Sequence, residues 1–157
     1  MIGFQWIPNI NKYVYYTDVW TKMMSANTID KKASEIVTLA DVNTALGTKL
    51  RNFFGIEWID ASTILVSENG KYFTYSVTSK SGKELLQTPE AAENQTFDKS
   101  KQNLAFTEGN NLFLINKNKE KVAVTNNADK NIVSGQSISR NEFGISGGIF
   151  WFCSIPA

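Results

Sequence analysis

One short pattern recurs along the chain and limits what it can become: an aromatic residue, a polar turn, then an apolar strand. It runs Phe4-Gln5-Trp6-Ile7-Pro8-Asn9-Ile10-Asn11-Lys12-Tyr13-Val14-Tyr15-Tyr16 and returns at Ile56-Glu57-Trp58-Ile59-Asp60-Ala61-Ser62-Thr63-Ile64-Leu65-Val66. It comes a third time at Gln95-Thr96-Phe97-Asp98-Lys99-Ser100-Lys101-Gln102-Asn103-Leu104-Ala105-Phe106. A second turn and strand follow. Ser67-Glu68-Asn69-Gly70-Lys71 leads into Tyr72-Phe73-Thr74-Tyr75-Ser76-Val77, and Asn-Gly between alternating apolar residues is a strong hairpin signal because both central positions tolerate positive φ. Glu108-Gly109-Asn110-Asn111 occupies the matching place before Leu112-Phe113-Leu114-Ile115. Turns at Ser79-Lys80-Ser81-Gly82 and Asn116-Lys117-Asn118-Lys119 then lead to short outer strands, Glu84-Leu85-Leu86 and Lys121-Val122-Ala123-Val124.

Each unit is therefore an up-and-down meander of three to four strands, repeating at about the 40–50 residues typical of a β-propeller blade. The expected fold is all-β, an incomplete β-propeller of about three to three and a half antiparallel blades. The units fall at about 3–50, 51–90 and 91–133, with the start of a fourth at 134–157. A sandwich or barrel with coincidental similarity is the alternative. The one helical stretch is Leu39-Ala40-Asp41-Val42-Asn43-Thr44-Ala45-Leu46, with Asp41 as its cap and Gly47 as its end, placed between the first two units. Trp6, Trp58, Phe97 and Trp151 are expected to fill the space between blades, and Tyr13, Tyr15, Tyr16 and Trp20 to form a second packed cluster. Lys31, Lys32, Lys117, Lys119 and Lys121 fall at turns or edges, where lysine discourages edge pairing.

Composition excludes several classes of function. The chain has 157 residues, sixteen Lys and Arg against fifteen Asp and Glu, and the basic residues are scattered rather than striped. A nucleic-acid partner, which calls for a basic face, is not expected. Cys153 is the single cysteine, so no intrachain disulfide can form. There is no histidine, which removes the usual general base and the commonest metal ligand. No cofactor or metal is expected. A self-contained Ser-His-Asp or Cys-His site cannot be built without histidine. No apolar run approaches a membrane span, and no secretory signal is visible at Met1-Ile2-Gly3-Phe4-Gln5-Trp6.

The strand rhythm breaks at Gly135-Gln136-Ser137-Ile138-Ser139-Arg140-Asn141-Glu142-Phe143-Gly144-Ile145-Ser146-Gly147-Gly148-Ile149-Phe150-Trp151. This run carries one charged pair, Arg140 and Glu142, among small, amide and apolar residues. The Arg-x-Glu-Phe-Gly motif stands after three blade-like units and before Phe150-Trp151. Together with the Phe4-Gln5-Trp6-Ile7-Pro8 opening, the outer-strand run at 32–39 and the Asn110-Asn111-Leu112-Phe113 hairpin, it resembles the N-terminal β-propeller of the dipeptidyl peptidase IV family. That family belongs to the prolyl oligopeptidase group of serine peptidases, and the likeness is to its bacterial branch.

The resemblance implies a role for Glu142: an acid at this position projects toward the active site and accepts hydrogen bonds from the ammonium of the substrate's free N-terminus. Arg140 and Asn141 complete the implied substrate-binding set. An α-amino group with pKa about 7.7–8.0 is mostly cationic at neutral pH, and a carboxylate binds it through charge-assisted hydrogen bonds. There are departures. Asn141 replaces a second acid, Ser139 stands where relatives carry His, and Ser67-Glu68-Asn69-Gly70-Lys71 offers no equivalent of an Arg-His-Ser motif in the second blade. After Phe150-Trp151 the chain reads Phe152-Cys153-Ser154-Ile155-Pro156-Ala157 instead of the family's Ser-Pro and Asp-Gly continuation.

The expected function is that of a truncated or frameshifted N-terminal propeller of a dipeptidyl peptidase IV-like exopeptidase. It recognises a peptide N-terminus and is inactive without the α/β-hydrolase domain that carries the family's Ser-Asp-His triad. The alternative is a stand-alone protein- or ligand-binding module that works as an oligomer. Three and a fraction blades fall short of the about four that close a ring, so self-association through open blade edges is expected. By resemblance the full-length parent is periplasmic.

Overall fold

The computed structural model describes residues 3–30, 32–137 and 147–152. Three four-stranded antiparallel meanders account for nearly all the regular structure. The first joins β1 (Phe4–Trp6), β2 (Lys12–Thr17), β3 (Lys22–Asn27) and β4 (Ala33–Thr38) in chain order. A helix, α1 (Leu39–Leu46), then leads to the second sheet, β5 (Glu57–Trp58), β6 (Thr63–Glu68), β7 (Lys71–Ser76) and β8 (Ser81–Gln87). The third contains β9 (Glu93–Phe97), β10 (Leu104–Glu108), β11 (Asn111–Ile115) and β12 (Lys121–Ala123). The chain separates into two compact units, one up to Gln87 with the first two sheets and one from Thr88 with the third.

The repeat in sequence is a repeat in backbone hydrogen bonding. Trp6, Trp58 and Phe97 each end the first strand of their sheet, opposite Tyr13, Ile64 and Leu104. The next residue then closes the turn: Ile7 N–H donates to Lys12 O (3.1 Å), Ile59 N–H to Thr63 O (2.9 Å) and Asp98 N–H to Asn103 O (3.0 Å). Asn69 and Gly70 sit at φ 50° and 74° in the two-residue turn between the paired residues Glu68 and Lys71. That is the mirror-image turn whose twist matches antiparallel strands. The outer strand β8 is longer than expected, because Ser81 already pairs with Ser76 after a turn at Lys80 (φ 52°).

In the first unit, one core cluster joins two sheets and the helix. Val14, Tyr16, Met23 and Val37 of the first sheet share it with Ile64, Val66, Phe73 and Tyr75 of the second, with Leu39 and Val42 of α1, and with Phe53. Each such side chain contributes about 1.5–3 kcal/mol on burial. Among the described residues the Tyr16 and Tyr75 hydroxyls are buried without a partner, and burial pushes the Tyr16 phenol up to about 12.

The helix cap differs from the expected one. Thr38 is the N-cap, its hydroxyl accepting from Asp41 N–H (3.2 Å), while Asp41 Oδ2 accepts from Thr38 N–H (3.2 Å) in a reciprocal capping box. Asp41 is the third helical residue because Thr38, leaving β4 extended at φ −100° and ψ 156°, already has cap geometry. Gly47 ends the helix at φ 67°.

The aromatics also divide differently. Trp6 does not fill space between sheets; it is 57% exposed and meets Phe4 and Tyr13 edge-on at 5.5 and 5.9 Å. The cause is alternation. Tyr13 and Tyr15 face the same side as their partners Trp6 and Phe4, opposite the buried Val14 and Tyr16. Tyr16 stacks instead on Trp20, with centroids 4.7 Å apart and planes 11° apart. Trp58 does pack against the core cluster.

Asp60 and Asp98 hold equivalent turns in the second and third sheets. Asp60 Oδ1 accepts from Ser62 N–H (2.7 Å), which holds its carboxyl below the usual range. Burial pushes Asp98 up, but donation from Asn103, Ser100 and Gln102 outweighs it and leaves this carboxyl low as well. Asp41 is lowered chiefly by the Thr38 N–H. A carboxyl lowered on folding adds stability that is fully present above its ordinary pKa, 3.8, and is lost as pH falls through the lowered folded value. Thermal stability is therefore expected to hold flat from pH 7 to 5 and to fall below about pH 4. Replacing Asp98 by Asn should flatten part of that fall, and differential scanning fluorimetry across pH would read it.

Candidate functional site

The expected substrate-binding residues Arg140, Asn141 and Glu142 lie outside the described residues. The segments on either side, up to Ser137 and from Gly147, are described, and the second unit holds both.

The leading segment is fastened to the tip of the β10–β11 hairpin by amide side chains. Asn111 Oδ1 accepts from Asn127 N–H (2.7 Å) and from Thr125 Oγ1–H (3.1 Å). Thr125 Oγ1 accepts from Leu112 N–H (3.0 Å). Asn110 Nδ2 donates to Lys130 O (2.6 Å), Ser134 N–H to Asn110 O (3.0 Å), and Asn127 Nδ2 to Ser134 Oγ (2.9 Å). Gln136 Nε2 then reaches Gly109 O (3.0 Å). A segment without strand pairing needs such bonds, because its backbone polar groups have no ladder to satisfy them.

The returning segment runs beside β9, where Trp151 Nε1–H donates to Thr96 O (3.3 Å). The two segments meet at Gly148. A Cβ there would lie 2.5 to 2.8 Å from backbone atoms of Gln136, a distance only glycine permits. Gly135, at φ 70°, fits its backbone against Thr107 and Leu112 in a similar way. The described segments up to Ser137 and from Gly147 thus lie in backbone contact at Gln136 and Gly148. A shallow pocket of about 230 Å³ lies beside the return, lined by Asn94, Gln95, Thr96, Gly147, Gly148 and Ile149. Thr107, 1% exposed, supports its floor by accepting from Asn94 Nδ2 (2.8 Å) and donating to Glu93 O (3.3 Å).

Sequence reasoning treated Asn110 and Asn111 only as turn residues and missed that their side chains bind the segment leading to Glu142. The available signal was a second amide pair, Asn126-Asn127, sixteen residues downstream. Among the described residues no group of three or more His, Cys, Asp or Glu could hold a metal ion, and no helix is long and apolar enough to cross a membrane.

The model of the dipeptidyl peptidase IV (DPP IV) N-terminal region matches residues 61–154, more than half of the chain and the whole Arg140–Glu142 run. The chain belongs to this family. A search of curated proteins finds no match. Solved structures agree with the DPP IV assignment. A Bacteroides ovatus protein carrying the assignment dipeptidyl aminopeptidase IV superposes with a TM-score of 0.73 at 25% identity, over 90% of this chain and 20% of its own. Porphyromonas gingivalis dipeptidyl peptidase 4 superposes with a TM-score of 0.56 at 17% identity, over 93% of this chain and 23% of its own. This DPP IV N-terminal region thus spans about a fifth of the length of each solved match. Its three meanders are an incomplete propeller-like fold.

Proposed function

We propose that this region recognises the free amino terminus of a peptide on behalf of a dipeptidyl peptidase IV-like serine exopeptidase. Glu142 accepts hydrogen bonds from the peptide's ammonium, and Arg140 and Asn141 flank it as further polar contacts. The supporting observation is the family match across 61–154, which takes in the Arg-x-Glu run. Holding the terminus sets which peptide bond reaches a nucleophile, and that registration makes a peptidase cut at a fixed distance from the end. With no histidine in the chain, a Ser-His-Asp triad has to come from elsewhere.

A ¹⁵N-labelled chain titrated with Ala-Pro-amide tests the location. Amide shifts are expected within 134–151, at Gln136 and Gly148 among others. Shifts confined to the first unit would overturn the assignment.

A further inference from the structure

A second site lies in the first unit, away from the Glu142 run in sequence. Between the first and second sheets is a cleft of about 310 Å³, whose lining includes Ile7, Lys12, Ser25, Trp58, Ala61 and Val77. Strand alternation places Lys12 on the same side as the buried Val14 and Tyr16, and Ser25, paired with Val14, shares that side. Ser25 is only 7% exposed, yet its hydroxyl makes no hydrogen bond to another described residue. Trp58 Nε1, a donor on the same cleft's lining residue, is buried without a partner among the described residues. An unpaired buried donor is costly and uncommon, and this one belongs to a cleft that also bears a serine and a lysine, polar groups set around an apolar wall.

We propose that this cleft binds a small carboxylate on an apolar body, either a free branched acid or the C-terminal residue of a peptide. The Lys12 ammonium takes the charge, Ser25 donates to a carboxylate oxygen, and the apolar body lies against Ile7, Trp58 and Val77. The charge sign follows from the lining. Lys12 makes no ion pair among the described residues, and Glu35 at the rim is turned to Lys22 Nζ, 3.9 Å away on the outer face. The size fits a leucine-like residue rather than a folded partner. The ligands chosen below carry no free amine, so failure here leaves the Glu142 reading untouched.

Calorimetry on the full chain would compare 4-methylpentanoate and N-acetyl-glycyl-leucine with their C-terminal amides. Each acid is expected to bind about fivefold tighter than its amide, the worth of one exposed ion pair. Lys12→Gln should erase that difference. Ser25→Ala should weaken the acids by about fivefold without lowering Tm, since the hydroxyl has no internal bond to lose. Tighter binding of the peptide or of the free acid would name the source, and either supports the site. Equal affinity of acid and amide, an unchanged affinity in Ser25→Ala, or no binding at millimolar ligand would overturn the proposal.

Discussion

Phe106→Ala is expected to remove about 3–5 kcal/mol of stability, the largest effect of any single side chain in the third sheet. Phe106 is fully buried on β10 and stacks on Phe113 of β11 with centroids 5.7 Å apart. Lys121 Nζ lies 5.5 Å from its ring and 4.3 Å from that of Phe113, while bonded to Glu108 Oε2 at 2.6 Å. Truncation therefore opens a cavity, ends a ring–ring contact and removes one of two rings beneath a cation. Leu104, Ala105 and Thr107 on the same strand are buried too, so the site has little room to collapse. Urea denaturation followed by fluorescence would measure the loss, with Phe150→Ala as a control because Phe150 is 79% exposed. A loss under about 1 kcal/mol for Phe106→Ala would contradict the packing described for this sheet.

The second large effect concerns recognition. Glu142→Gln keeps the shape of the side chain and removes its charge. A hydrogen bond to a charged group contributes about 1.5–3 kcal/mol, so affinity for a free-amine peptide should fall by about ten- to a hundredfold. The pH dependence follows from the same chemistry. Binding should weaken as pH rises above about 8, where the α-amino group deprotonates, and as pH drops below about 4.3, where an ordinary glutamate is protonated. Glu142→Gln should lose the acid limb and keep the alkaline one, whereas Glu142→Asp should retain both.

The fold was legible in the sequence because the repeating unit is local. Trp58 and Phe97 mark strand ends, Asn69-Gly70 marks a hairpin, and both signals depend on neighbours a few residues away. What failed depended on faces. Trp6 looks like Trp58 in sequence, but it belongs to the outer side of the first sheet and stays exposed. The helix cap was misplaced by three residues because both Thr38 and Asp41 carry capping side chains, and only the extended backbone at Thr38 decides between them. For the candidate site, the charged pair could be found by its isolation. The amide network of Asn110, Asn111 and Asn127 left only the second amide pair, Asn126-Asn127, as a mark, because it joins residues sixteen and twenty positions apart through side chains. Ser25 escaped for the same reason, since a cleft between two sheets leaves no mark on either repeat.

The central claim is that this region reads a peptide's amino terminus through one carboxylate. The most direct measurement is calorimetry of the chain with Ala-Pro-amide and with N-acetyl-Ala-Pro-amide, both lacking the carboxylate that the cleft on the first two sheets would take. The account predicts at least about tenfold tighter binding of the free amine, lost in Glu142→Gln. Equal heats for the two peptides would contradict it.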